Sequence, residues 1–253
     1  MKISIITVCK NSALFIGDAI QSVLSQMHED YEYIIVDGNS TDSTLEIIKN
    51  QEALFKGRLK WISEPDRGLY DAINKGIKLA TGEIVGLLNS DDFFSADDIL
   101  GRIASEFDDT SIQAIYGDVK YVKPINTRQV VRYYSSDIFT PGLMRMGFMP
   151  AHPSFYIRRQ CFMQYGYYSL DYQISSDFEF LLRYLYLHRI KTKYIQMDFV
   201  TMRLGGISNA TLLSYVSIMR EHQRALKQHR VYSNILLLSL RYIFKLKEFI
   251  LLK

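Results

Sequence analysis

The chain predicts an α/β fold on a mixed, mostly parallel sheet, followed by a helical extension. Strand-like apolar runs alternate with helix-like periods through the first 110 residues. Polar turn formers follow those runs, where open α/β sheets bind ligands. From Ala210 onward the pattern reads as helical through Lys253.

Ile3–Val8 is a continuous apolar run, suited to a strand covered on both faces. Asn11-Ser12 can cap a helix that buries Leu14, Ile16, Ala19, Ile20, Val23 and Leu24. Residues 33–36 form the second strand and Asp37-Gly38-Asn39-Ser40 a turn, with a helix starting at Thr41-Asp42-Ser43. A short strand is expected at Leu59–Ile62, a helix at Leu69–Leu79 and a fourth strand at Ile84–Leu88. Beyond about residue 110 shorter strands are expected at 113–116, 119–122, 130–134, 154–157, 194–197 and 200–204, with a helix over Ser176–Tyr186. The expected layout is a domain over 1–205, with halves 1–110 and 111–205, and a helical extension over 206–253.

A chain of 253 residues can bury one sizeable core, or one domain with an appendage. Met1-Lys2 leads straight into the first strand, so no signal peptide is expected, and no apolar run is long enough to span a bilayer. Cys9 and Cys161 share no metal or disulfide spacing, which suits a reducing, cytoplasmic compartment. Residues 210–253 carry eight Lys/Arg against two Asp/Glu, while the remainder is slightly acidic. That asymmetry points away from nucleic acid and toward a membrane surface or a partner, including another copy. The tail mixes Ile235–Leu238, Leu240, Ile243, Phe244, Leu246 and 249–252 with Arg241, Lys245, Lys247 and Lys253. It suits either a peripheral seat on the inner face of the cell membrane or packing on the domain.

The strand ends collect Thr7 and Asn11, Asp37, Glu64-Pro65-Asp66-Arg67-Gly68 and Asn89-Ser90-Asp91-Asp92. One acid after a strand is usually a turn former or helix cap. Four such sites in register point to a ligand. Asp37 can accept from a base imide or ribose, and Asp91 offers hard oxygens for Mg2+ or Mn2+ bridging two phosphates. Arg67 and Lys75 can add charge near those phosphates, or remain solvated surface cations.

The sequence resembles family 2 glycosyltransferases of the GT-A fold, especially those of bacterial polysaccharide assembly. The matching pieces are residues 4–11, Ile34-Ile35-Val36-Asp37-Gly38-Asn39-Ser40-Thr41-Asp42, Glu64-Pro65-Asp66-Arg67-Gly68-Leu69-Tyr70-Asp71-Ala72-Ile73-Asn74-Lys75-Gly76, and Ala80-Thr81-Gly82-Glu83 leading to residues 88–92. The resemblance covers roughly residues 2–95 and implies an inverting transfer. An acceptor hydroxyl attacks the anomeric carbon of a nucleotide-diphosphate sugar, with uracil the commonest base, and the acceptor is a glycan or lipid-linked glycan. It places Thr7, Asn11, Asp37, Asp66, Arg67, Gly68, Asn74, Lys75, Asn89 and Ser90 around the donor, with Mn2+ or Mg2+ on Asp91 and Asp92.

The family's metal motif usually begins with Asp, where this chain has Asn89, so one negative charge is lost and Asp91 becomes the principal anchor. The catalytic base of such enzymes lies at a helix start in the second half. Residues 175–183 match that context, with Asp177 as base and Glu179 as alternate. His152 resembles an acceptor-side element that contacts donor or acceptor, or is a structural histidine, and Gly205-Gly206-Ile207-Ser208 reads as a closing loop or a joint. A sugar nucleotidyltransferase is an alternative, but its Gly-rich basic loop is replaced here by Cys9-Lys10-Asn11-Ser12. A non-catalytic nucleotide-sugar-binding subunit is the alternative from another class, opposed by the presence of both Asp91 and Asp177.

Overall fold

The computed structural model describes residues 1–205 and 212–241. Its organising element is a nine-stranded mixed sheet. The strands are β1 (Ile3–Cys9), β2 (Tyr31–Asp37), β3 (Leu59–Ser63), β4 (Ile84–Leu87), β5 (Phe93–Phe94), β6 (Ala114–Val122), β7 (Val130–Tyr134), β8 (Tyr156–Arg158) and β9 (Thr192–Arg203). Their spatial order is β3-β2-β1-β4-β8-β6-β9-β5, with β7 also paired to β6. β3, β2, β1 and β4 run parallel, as do β6 and β9, while β8 runs antiparallel to β4 and β6.

Strand alternation divides the core in two. Ile3, Ile5, Tyr33 and Ile35 face one side, where α1 (Ile16–Leu24), α2 (Thr44–Glu52) and α4 (Ile99–Glu106) cover them. Ile6, Val8, Ile34 and Val36 face the other, against α3 (Leu69–Leu79) and the helices of the second half. Those are α5 (Gln160–Tyr165), α6 (Ser176–Leu181) and α7 (Leu212–Gln228). Burial on both faces is why the first two strands read as unbroken apolar runs.

Several expected elements differ in extent. The strands expected at 113–116 and 119–122 are one strand, β6, whose register shifts around Asp118. Asp118 sits within the sheet because the hydroxyls of Tyr133 and Tyr194 and the Ser136 N–H all donate to its carboxylate. The two strands expected at 194–197 and 200–204 likewise merge into β9. The first helix begins at Ile16, leaving Asn11 in the loop with φ of 50°. The helix expected over Ser176–Tyr186 is α-helical to Leu181 and then widens into a π-turn, Leu182–Leu187. α7 is followed by a break at Arg230 (φ 56°) and a helical turn over 235–241. Ala225, Leu226, Val231 and Leu238 enter the second-half core, so residues 212–241 pack on the domain. Residues 206–208 of the expected loop and the tail beyond 241 lie outside the described residues.

Candidate active site at the strand carboxyl ends

The parallel register brings the expected donor residues to one edge of the sheet. Cys9 pairs with Asp37, Asp37 with Ser63, and Ile6 with Leu87, so the loops after β1, β2, β3 and β4 emerge together. Thr7 is fully buried; its hydroxyl donates to the Leu88 carbonyl at 2.7 Å and accepts from Tyr33 Oη at 2.9 Å. It fastens the end of β1 to the residue before the Asn89–Asp92 turn.

Asn11 and Asp37 join the next two loops. Asn11 Oδ1 accepts from the Thr41 N–H at 2.8 Å, and its own N–H donates to Ser40 Oγ. Ser40 Oγ in turn donates to Asp37, which also accepts the Ser40 N–H at 2.9 Å and Ser63 Oγ at 2.7 Å. Asp37 is fully buried, and both of its oxygens are engaged by these loops. Gly38 follows it beneath Asp66: a Cβ at position 38 would stand 2.3 Å from Asp66 Oδ2. Asp66 Oδ1 accepts the Gly68 N–H at 2.8 Å, and Gly68 takes φ of 117°, outside the range comfortable for side-chain-bearing residues. That turn starts α3.

The two expected cations are held locally. The exposed Arg67 faces Asp71 at 3.5 Å, and Lys75 closes on Glu64 at 2.8 Å and the Pro65 carbonyl at 2.7 Å. Asn74 is buried and exchanges two hydrogen bonds with the Tyr168 backbone, at 2.8 and 3.0 Å. Its visible role is to tie α3 to the second half.

At the Asn89–Asp92 turn, Ser90 Oγ lies 3.0 Å from Ser12 Oγ, closing the turn onto the loop after β1. Asn89 Nδ2 donates to Asp92 Oδ2 at 2.8 Å, and Arg203 N–H donates to Asp92 Oδ1 at 3.1 Å. Asp92 is thereby buried and supported, while the Asp91 carboxylate takes no side-chain hydrogen bond from a described residue. Burial raises both carboxyls above the usual carboxylate range, Asp92 to about 7 with the charge of Asp91 adding to the effect. A cation would relieve that cost. Among the described residues no group of three or more His, Cys, Asp or Glu could hold a metal ion alone. The donor set fits Mg2+ or Mn2+ completed by phosphate oxygens and water, since such ions commonly use one or two carboxylates.

In the second half, Asp177 lies in the first turn of α6. Its Oδ1 accepts the Phe178 N–H at 2.8 Å and faces the Tyr70 hydroxyl at 3.4 Å. Burial raises its pKa, with His152 acting in the opposite direction. His152 is near enough to sense Asp177; burial holds its pKa below 6.5, and its Nε2 lies 2.8 Å from Tyr168 Oη. Glu179 differs entirely. It is buried, paired with Arg183 at 3.0 Å and bonded to His229 at 2.7 Å. Burial opposes its ionisation, yet these partners hold its pKa below the usual range.

Two supporting residues were not singled out from sequence. Tyr70 stands two positions after Gly68, within the quoted motif, and donates to the Ile174 carbonyl at 2.5 Å. Arg203 ends β9 and grips the Asn89–Asp92 turn; the Gly205-Gly206 pair behind it was the available signal.

Comparison with known proteins shows the family and the fold. The family model described as glycosyl transferase family 2 matches residues 4–169. A PGL/p-HBAD biosynthesis glycosyltransferase of Mycobacterium bovis (strain BCG / Pasteur 1173P2) is 31% identical over 212 residues, 81% of this chain and 78% of its own length. The fold resembles S. aureus TarS 1-349 in complex with UDP-GlcNAc, with a TM-score of 0.70 and 20% identity over 89% of this chain and 66% of that one. Against the longer S. aureus TarS chain it spans 40% of the length, at a TM-score of 0.65 and 18% identity. It also resembles the mannosyltransferase PcManGT from Pyrobaculum calidifontis, in complex with GDP-Man and Mn2+, with a TM-score of 0.64 and 19% identity over 88% of this chain and 64% of that one. With the family model spanning most of the chain and a curated relative matched over four-fifths of it, the protein belongs to glycosyl transferase family 2.

Proposed function

We propose that this protein is an inverting, metal-dependent glycosyltransferase that moves a sugar from a nucleotide-diphosphate sugar to a glycan or lipid-linked acceptor in cell-surface polysaccharide assembly. A UDP-sugar is the favoured donor. The observation that carries the reading is the contrast between Asp177 and Glu179: one is a carboxylate with an accepting oxygen to spare, the other is consumed by Arg183 and His229.

The nucleoside enters over Asp37, Gly38 and Asp66, and the diphosphate lies along the Asn89–Asp92 turn. Asp91, supported by Asp92 and Asn89, would hold a divalent cation there, which would supply positive charge to the leaving diphosphate. Arg67 and Lys75 turn from their acidic neighbours toward the phosphates when the donor binds. Asp177 takes the proton of the acceptor hydroxyl, and its burial favours that role by raising its basicity. The acceptor oxygen then bonds to the anomeric carbon as the bond to the diphosphate oxygen breaks, and His152 lines the acceptor side. Support comes from the TarS and PcManGT neighbours, described in complex with UDP-GlcNAc and with GDP-Man and Mn2+. The test is Asp177→Asn, which keeps donor binding and loses transfer; unchanged transfer removes Asp177 as base.

The same reading places the protein at a membrane surface. No described helix is long and apolar enough to cross a membrane. Tyr232, Ile235 and Leu236 are nevertheless exposed around the start of the helical turn over 235–241, and the sequence that follows is basic and apolar. Deleting residues after 230 should weaken binding to anionic vesicles, and a full-length protein indifferent to vesicles refutes the placement.

A further inference from the structure

The segment that leads into the base is held from outside the family-matched region. Glu221, on α7, accepts three consecutive backbone N–H groups: Gln173 at 2.9 Å, Ile174 at 3.0 Å and Ser175 at 2.7 Å. Ser175 is the residue before α6, and Asp177 comes two positions later. The carbonyl of Ile174 meanwhile accepts the Tyr70 hydroxyl from α3. One peptide segment is therefore pinned on its donor side by α7 and on its acceptor side by the helix that starts at the proposed donor loop. His222, adjacent to Glu221, stacks on Phe178 with ring centroids 3.7 Å apart, and His229 reaches Glu179.

Charge-assisted bonds to an ionised acceptor are about twice as strong as neutral ones, and three on one carboxylate fix both height and rotation of a backbone segment. Asp177 lies in the first turn of α6, where backbone N–H groups have no helical partner, so the chain leading into the helix governs how that turn is held. We infer that Glu221 is a positioning residue for the reaction: α7 holds the 173–175 segment so that Asp177 meets the acceptor hydroxyl. The inference rests on Asp177 being the base. It turns the C-terminal helix from an appendage into part of the active-site frame.

The experiment uses the full chain with Mn2+. Hydrogen exchange is followed on residues 173–178, with the β1 amides as an internal control for global unfolding. Nucleoside diphosphate release is measured with UDP-GlcNAc or GDP-mannose as probe, whichever the unaltered protein turns over. Glu221→Ala should raise exchange at 173–178 at least about tenfold while β1 stays protected, and lower kcat about 10- to 100-fold with donor KM within about twofold. Glu221→Gln, whose one oxygen can still accept from Ile174 and Ser175 while its amide nitrogen faces the Gln173 N–H, should recover part of both. In an Asp177→Asn background, Glu221→Ala should cost nothing further.

Unchanged exchange in Glu221→Ala overturns the latch, whether or not either donor is turned over. Lost protection with unchanged kcat overturns the positioning role. A full kcat loss persisting in the Asp177→Asn background shows Glu221 acting by another route. A fully active Asp177→Asn instead strikes the base assignment itself, separating that failure from failure of the latch.

Discussion

Arg203 donates from its guanidinium to the Asp91 carbonyl at 2.6 Å while its own backbone N–H donates to the Asp92 carboxylate at 3.1 Å. The same side chain reaches the Pro124 carbonyl and Asp18 and lies over the rings of Phe15 and Phe93. The Asn89–Asp92 turn is thus shaped by a buried arginine at the end of β9. Outer partners of metal ligands typically contribute 10- to 100-fold in affinity. Arg203→Lys cannot reproduce the planar, divided set of bonds. It should weaken apparent Mn2+ affinity by roughly tenfold, measured as the metal dependence of donor binding, with an unchanged Mn2+ midpoint as the contrary result.

Gly38 leaves room for Asp66. Gly38→Ala puts a methyl 2.3 Å from Asp66 Oδ2, so the Asp66 side chain must shift away from the loop after β2. Donor affinity should fall about tenfold, equal to about 1.4 kcal/mol, while thermal stability changes little. Calorimetry on the variant checks this; equal affinity would separate Asp66 from nucleoside binding.

Glu179 and Asp177 should behave oppositely. Glu179→Ala leaves the Arg183 guanidinium without its carboxylate in a buried setting and should destabilise the fold by about 3 kcal/mol. Asp177→Asn should leave the denaturation midpoint nearly unchanged. Parallel denaturant melts decide it, and similar midpoints for both variants contradict the assignment of roles.

How far the sequence discloses the site depends on which contacts are local. Asp37, Asp66 and Asp91 are legible because a strand end and a turn place them with no knowledge of distant residues. Arg203 is not: its partner Asp91 lies 112 positions earlier, and only the sheet order β6-β9-β5 brings them together. Glu221 is hidden for the same reason, since a glutamate on a helix reads as a solvated charge. The two-strand reading of residues 113–122 failed because Gly117-Asp118 has turn-like chemistry, which Tyr133, Tyr194 and Ser136 override by satisfying the carboxylate. Asn74 and Thr7 lie in the matched motifs, yet both side chains are engaged by the protein itself.

At the opposite end of the sheet, Glu32 gathers Ser4, Thr81, Gly82, Lys2 and Lys60. Burial alone would raise its pKa, but these bonds, led by Ser4 and Thr81, hold it far below the usual 4.5. A carboxyl depressed in the folded state contributes stability that is complete above 4.5 and declines as pH falls toward the folded value. Between the unaltered protein and Glu32→Gln, the stability gap should narrow by about 1.4 kcal/mol per pH unit below that point. Denaturant melts from pH 6 to about 3 measure it, and a gap constant with pH contradicts the network's role.

The proposed function requires the Asn89–Asp92 turn to hold a nucleotide-sugar diphosphate through a divalent cation on Asp91. Calorimetry of the full chain with a panel of UDP- and GDP-sugars, with and without Mn2+, tests it most directly. Mn2+-dependent binding of at least one donor, abolished by Asp91→Ala, is the expected result. Absence of binding across the panel with Mn2+ present, or equal binding by Asp91→Ala, contradicts it.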